Sequence, residues 1–137
     1  MSAADNADII RGLFEEGWNR GRFENLQGLL HEDAVLHIGS MSRATDLDDL
    51  EEIVARWRSA FADFRFEIHE IVSQRNAVAS RMTLRGKHTG PFRGFDPTGR
   101  EIAVHHAFFF RFADGKVVEV WEILDQEQLN RQLAGVG

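Results

Sequence analysis

The side chains that could move a proton or attack a carbonyl are unevenly supplied in this chain. Its 137 residues include six His but no Cys and no Tyr. Thiolate nucleophiles, disulfides and phenolic acids are therefore excluded, and chemistry falls to His, Asp and Glu. Two of these, His106 and Glu122, are brought together by a hairpin signal at Ala113-Asp114-Gly115. If the loop has three residues and ends in Gly115, Phe112 pairs with Lys116, and His106 then lies directly opposite Glu122. If the turn has two residues, the register slips by one and His105 takes the place of His106. The three-residue loop is the favoured reading. On it, His106 and Glu122 share a face with Phe108, Phe110, Val118 and Val120. An acid/base pair on an otherwise apolar face suits general acid/base catalysis, although structural ion pairs arise in the same way.

The other histidines carry less. In a strand, His37 would share a face with Val35, opposite Leu36 and Ile38, so it is either a pocket residue or a half-buried side chain with its bonds satisfied. His88 could guard the mouth of a pocket or be an exposed loop residue. His31 and His69 read as surface residues. No His-x-His or Glu-x-x-His spacing occurs, so no metal site is expected. Gly-rich phosphate loops and Gly-x-Ser-x-Gly elbows are also missing. Phe14 and Trp18, one helical turn apart, are core or pocket-lining aromatics.

The elements that must position these residues follow from periodicity. Ser2 and Asp5 read as a capping box, and Ile9, Ile10, Leu13, Phe14 and Trp18 then repeat at helical spacing to about Asn19. A short helix is expected over Phe23 to Leu30 and a short strand over Ala34 to Ile38. A third helix begins after Thr45 or Asp46, with Leu47, Leu50, Ile53, Val54, Trp57 and Phe61 as its apolar stripe. From Phe64 the period changes to 2. Strands are expected to about Ser73, over Val78 to Lys87, over Ile102 to Phe112 and over Val117 to Leu124. A loop runs from Gly90 to Gly99, and a short helix is expected over Gln126 to Leu133. Helices followed by a run of antiparallel strands indicate one α+β domain over residues 1–137.

Composition narrows the partners. The chain is 43% hydrophobic and 28% charged, with a net charge of −6. Nucleic-acid binding is disfavoured because Lys and Arg are scattered. No apolar run reaches the roughly 20 residues of a membrane span, and the first residues lack a secretory pattern, so a cytoplasmic protein is expected.

Several motifs together resemble a family. They are Gly17-Trp18-Asn19-Arg20-Gly21, Gly86-Lys87-His88-Thr89-Gly90-Pro91-Phe92, Pro97-Thr98-Gly99-Arg100 and the stretch from Arg111 to Glu122. In this order they resemble the SnoaL-like polyketide cyclases of the nuclear transport factor 2-like superfamily. The resemblance implies a cone, in which a strongly curved antiparallel sheet packs against about three N-terminal helices around a pocket. It also implies a homodimer formed through the sheet. The outward set His105, Ala107, Phe109 and Trp121 is apolar enough to need such a cover. The family's catalytic Asp on the last strand falls on Glu122, its His on the preceding strand falls on Phe108, and a neighbouring position that is often Gln falls on His106. The activity implied is cofactor-independent proton abstraction beside a carbonyl of a small apolar substrate, as in a cyclase, isomerase or lyase, with His106 or His37 donating to the oxyanion. The rival reading is a binding domain that holds such a molecule without turning it over.

Overall fold

The structure, a computed structural model, describes residues 2–136. Helix α1, Ala3–Gly12, opens on the expected capping box: the Ser2 hydroxyl accepts from the Asp5 backbone, and the Asp5 carboxylate accepts from the Ser2 backbone. It runs on as a wider turn of helix over Leu13–Trp18, which places both Phe14 and Trp18 in the core, and the chain reverses at Gly21, where φ is +67°.

The helix expected over Phe23 to Leu30 shrinks to a single tight turn, Glu24–Leu26. Gly28 adopts φ +81° and stops it, while Phe23 and Leu29 are buried as anchors. Strand β1, Leu30–Ile38, then starts earlier than the apolar run suggested, and β2, Met41–Ala44, follows a Gly39-Ser40 turn. β2 is short and mostly exposed, with Met41 and Ala44 flanking Ser42 and Arg43, so it carried no alternating signal. Helix α2, Leu47–Ala60, is capped by the Asp46 carboxylate, which accepts from the Asp49 backbone at 2.8 Å. It buries Ile53, Val54 and Trp57.

Four strands complete the sheet: β3 Phe61–Gln74, β4 Ala77–His88, β5 Glu101–Ala113 and β6 Lys116–Leu124. The spatial order is β2-β1-β6-β5-β4-β3. Every neighbour is antiparallel except β1 with β6, so the curved sheet is mixed. That parallel pairing is long-range, and no hairpin signal announces it. Only α1 and α2 precede the main run of strands, and the third helix, α3, Gln126–Ala134, closes the chain.

The place of α3 has a polar cause. β6 ends at Leu124 opposite His106, so the first residues of β5 lack a neighbour on that side. Gln128 accepts from the His105 backbone at 2.8 Å, and Gln132 both accepts from and donates to the Ala103 backbone at 2.8 Å. The core lies between the two longer helices and the inner sheet face. Phe14 stands 5.2 Å from Phe108, and Trp18 stands 5.0 Å from Phe66, ring centre to ring centre. No described helix is long and apolar enough to cross a membrane.

Candidate active site

The turn between β5 and β6 has two residues, Asp114 at φ +54° and Gly115 at φ +74°, with Ala113 paired to Lys116. This is the register that was not favoured, and taken alone it would have turned His106 away from Glu122. A bulge restores the face. Phe112 pairs with Val117 but Arg111 pairs with Glu119, so Val118 is an extra residue. Beyond it Glu122 lies opposite Phe108, and His106 lies opposite Leu124, diagonal to Glu122 rather than directly across. The diagonal is within reach of two long side chains. His106 Nε2 and Glu122 Oε2 are 2.8 Å apart.

The bulge also changes the lining. Val117 is turned inward and buried, and Val118 is only half-buried and does not border the cavity. The expected place of Val118 is therefore corrected to Val117.

Two spaces meet at Glu122. The inner one, about 30 Å³, is bordered by Trp18, Leu36, Phe108, Phe110, Val120 and Glu122. Roughly two waters would fill it. Aromatic side chains occupy most of the interior, and Phe14, expected as a pocket residue, packs against Phe108 and Phe110 without bordering the space. The second is an open groove of about 360 Å³, within the usual range for small-molecule sites. Arg43, Arg56, Trp57, Phe92, Arg93 and Glu122 contribute to it. Glu122, 7% exposed, and Ile53 border both.

His106 borders neither space. Its side chain is fully buried, stacked 4.9 Å from the Phe108 ring and edge-on to Phe66 at 4.9 Å. Its Nδ1 has no partner among the described residues. The neutral ring carrying its proton on Nε2 donates to the carboxylate and leaves only a lone pair at Nδ1, the cheaper atom to leave dry. His106 therefore holds Oε2 in place from behind. No hydrogen bond from a described residue reaches Glu122 Oε1. Trp18, 1% exposed and bordering the inner cavity, carries an indole N–H that is buried without an acceptor.

His37 and His88 stand elsewhere. Leu36 faces the cavity, so alternation turns His37 to the opposite sheet face. There it stacks 4.8 Å from Trp121 and bonds Glu119 through Nε2 at 2.9 Å and Ser42 through Nδ1 at 2.7 Å. His88 is neither a gate nor an exposed loop residue. It is fully buried at the end of β4, its Nδ1 accepting from the Thr98 N–H at 3.2 Å, and it pins the 89–99 loop. Among the described residues no three His, Asp or Glu side chains gather as a metal site requires.

The arginines were the residues that sequence reasoning missed. Arg93 follows Phe92 in a tight turn, with Phe92 and Phe95 exchanging both backbone hydrogen bonds. Its guanidinium lies 4.9 Å from the Phe92 ring centre and 5.5 Å from that of Trp57. This packing pushes the pKa of Arg93 below its ordinary value, against the opposing pull of the Glu122 charge. A cation inside the turn-rich Gly90–Gly94 segment was the available signal. Arg43 is tied to Asp49 at 2.8 Å. Burial alone would raise the Asp49 pKa, but hydrogen bonds from the Thr45 hydroxyl and Arg43, with the Arg43 and Arg56 charges, outweigh it and lower it.

Comparison with known proteins agrees with this geometry. A family model described as SnoaL-like polyketide cyclase matches residues 8–133. Among solved structures, IdmH of Streptomyces antibioticus, a candidate polyketide cyclase, is 31% identical with a TM-score of 0.78, over 93% of this chain and 97% of that one. AclR of Streptomyces galilaeus, a candidate hydroxylase, is 27% identical with a TM-score of 0.84, over 98% and 84%. A candidate polyketide cyclase of Acidithiobacillus ferrooxidans is 25% identical with a TM-score of 0.83, over the whole of both chains. No curated protein matches the chain.

Proposed function

The chain belongs to the SnoaL-like polyketide cyclase family, and from that premise we propose that it is a cofactor-independent enzyme that takes a proton from carbon beside a carbonyl. The observation that carries this reading is the position of Glu122, which borders both a ligand-sized groove and a small apolar cavity with one oxygen held by His106. The body of the substrate lies in the groove. Its reacting carbonyl enters the inner space, which is about the size of the waters it would displace.

Glu122 Oε1 then removes the proton as general base and returns it to the product as general acid. His106 donates to Oε2, and so fixes the rotamer of the carboxylate; it is a positioning residue, since it touches neither space. The unpaired Trp18 indole N–H is the donor we assign to the developing enolate oxygen, in the part that His37 cannot fill from the opposite face. Aldol closure, isomerisation and elimination all proceed from such an enolate.

A homodimer belongs to the same proposal. The outer sheet face carries Ile123 at 62% and Val72 at 54% exposure, beside Phe109 and Trp121. Such an apolar face is suited to a second copy.

The direct test is deuterium exchange at the carbon beside the ketone of methyl 3-benzoylpropionate in D2O, followed by proton NMR. Exchange above the buffer rate supports the enzyme reading. Saturable binding without exchange would assign the groove to holding a ligand only.

A further inference from the structure

We infer that the groove recognises an anionic group, so that the natural ligand is an apolar carbonyl compound bearing a carboxylate rather than a neutral one. The inference rests on the groove being the ligand site of the proposed function and names the class of molecule it takes. Three guanidinium groups, those of Arg43, Arg56 and Arg93, border one groove in a protein whose net charge is −6, and Glu122 is the single acid bordering it. The positive charge there is local and runs against the balance of the whole chain.

The three are not equally free. Arg43 is neutralised by Asp49 at 2.8 Å. Neither Arg56 nor Arg93 has a carboxylate within 4.0 Å among the described residues. Arg93 bonds only the neutral side-chain oxygen of Gln126, while its flat faces rest on Trp57 and Phe92. Arg93 as a residue is exposed, and that contact strips water from only part of the guanidinium without supplying a counter-charge, so the group stays open to a bound carboxylate. The Glu122 charge acts on Arg93 from a distance, but it makes no N–O contact with it within 4.0 Å and its Oε2 is held by His106, so it leaves the guanidinium edge free for a ligand.

The geometry also separates the two ends of a ligand. Trp57, Phe92 and Ile53 give the groove an apolar lining beside the arginines, and Ile53 and Glu122 carry that lining on to the inner cavity. A molecule with a carboxylate at one end, an aromatic or alkyl middle and a carbonyl at the other matches this sequence of surfaces. Anchoring the charged end would commit the reacting end to Glu122, so that binding energy distant from the chemistry is used for orientation.

The experiment compares 2-naphthoate and 3-benzoylpropionate with their methyl esters by titration calorimetry on the whole protein. Both acids should bind at least about tenfold more tightly than their esters. Raising the salt from 20 mM to 500 mM should weaken the acids several-fold and leave the esters unchanged. Arg93→Gln and Arg56→Gln should remove most of the advantage of the acids while ester affinity holds, which also reports that the variants are folded. Equal affinity of acid and ester, or an acid advantage untouched by either variant, would overturn the anion site and leave the groove as the ligand site. Failure of all four probes to bind would overturn both.

Discussion

Removing His106 alone should be more damaging than removing His106 and Glu122 together. The two side chains are 0% and 7% exposed and meet at 2.8 Å. In His106→Phe the stacking on Phe108 survives, but the carboxylate of Glu122 loses its one protein partner in a nearly dry setting. Stranding a buried charge in this way costs about 3 kcal/mol. Glu122→Leu strands the imidazole N–H instead, at about 2 kcal/mol. The double variant strands nothing and places two apolar side chains against Phe66 and Phe108, so its cost should be about 1 kcal/mol or less. The coupling between the sites is then about 4 kcal/mol, above the roughly 0.5–3 kcal/mol usual for residues in contact, because each single variant strands a buried polar group. Urea unfolding at pH 7 reads this directly. With a slope of about 2 kcal/mol per molar, the single variants should lower the midpoint by about 1–1.5 M and the double variant by about 0.5 M. Additive losses, with the double variant near 5 kcal/mol, would refute the claim that the two groups form one buried unit.

Asp49, tied to Thr45 and Arg43 beside the groove, titrates below the ordinary aspartate value of 3.8. A depressed carboxyl pKa stabilises the fold above 3.8 and ceases to do so as pH falls through the folded value, so the melting temperatures of wild type and Asp49→Asn should differ at pH 7 and draw together only as the pH falls below 3.8 through that value. Trp18→Phe keeps an aromatic ring in the core but removes the indole N–H; turnover should fall by about 10²-fold with substrate affinity nearly unchanged, as steady-state kinetics would show. Ile123→Glu places a charge on the exposed apolar sheet face and should convert the protein to monomers in sedimentation velocity at micromolar concentration, with the melting curve of the monomer still cooperative.

Elements with a strong period were legible in the sequence. Leu47 to Ala60 declared itself through its apolar stripe, and the four long strands through alternation, because burial on one face imposes that order on neighbouring residues. The pairing of β1 with β6 was not legible, since it depends on contacts far apart in the chain. Glu122 and His106 were correctly brought to one face, but by two departures that together slipped the register by two residues and so kept the face: a turn one residue shorter than expected and a bulge at Val118, which leave His106 opposite Leu124 and diagonal to Glu122. Asp114-Gly115 contained the signal for the shorter turn. A bulge has no comparably local signature, because Val117, Val118 and Val120 are all apolar and any two of them could have faced the core. The groove was missed for a related reason. Arg43, Arg56 and Arg93 come from β2, α2 and the 89–99 loop, three segments that only the folded sheet assembles.

The central claim is that Glu122 moves the proton. Replacing it with Gln keeps the length of the side chain and leaves an amide oxygen to accept from His106 Nε2, so stability and ligand affinity should be retained. Proton transfer should not be: wild-type protein should catalyse deuterium exchange beside the ketone of 3-benzoylpropionate or its methyl ester, and Glu122→Gln should exchange about 10²- to 10⁴-fold more slowly. Exchange by Glu122→Gln within a few-fold of the wild-type rate would contradict the account.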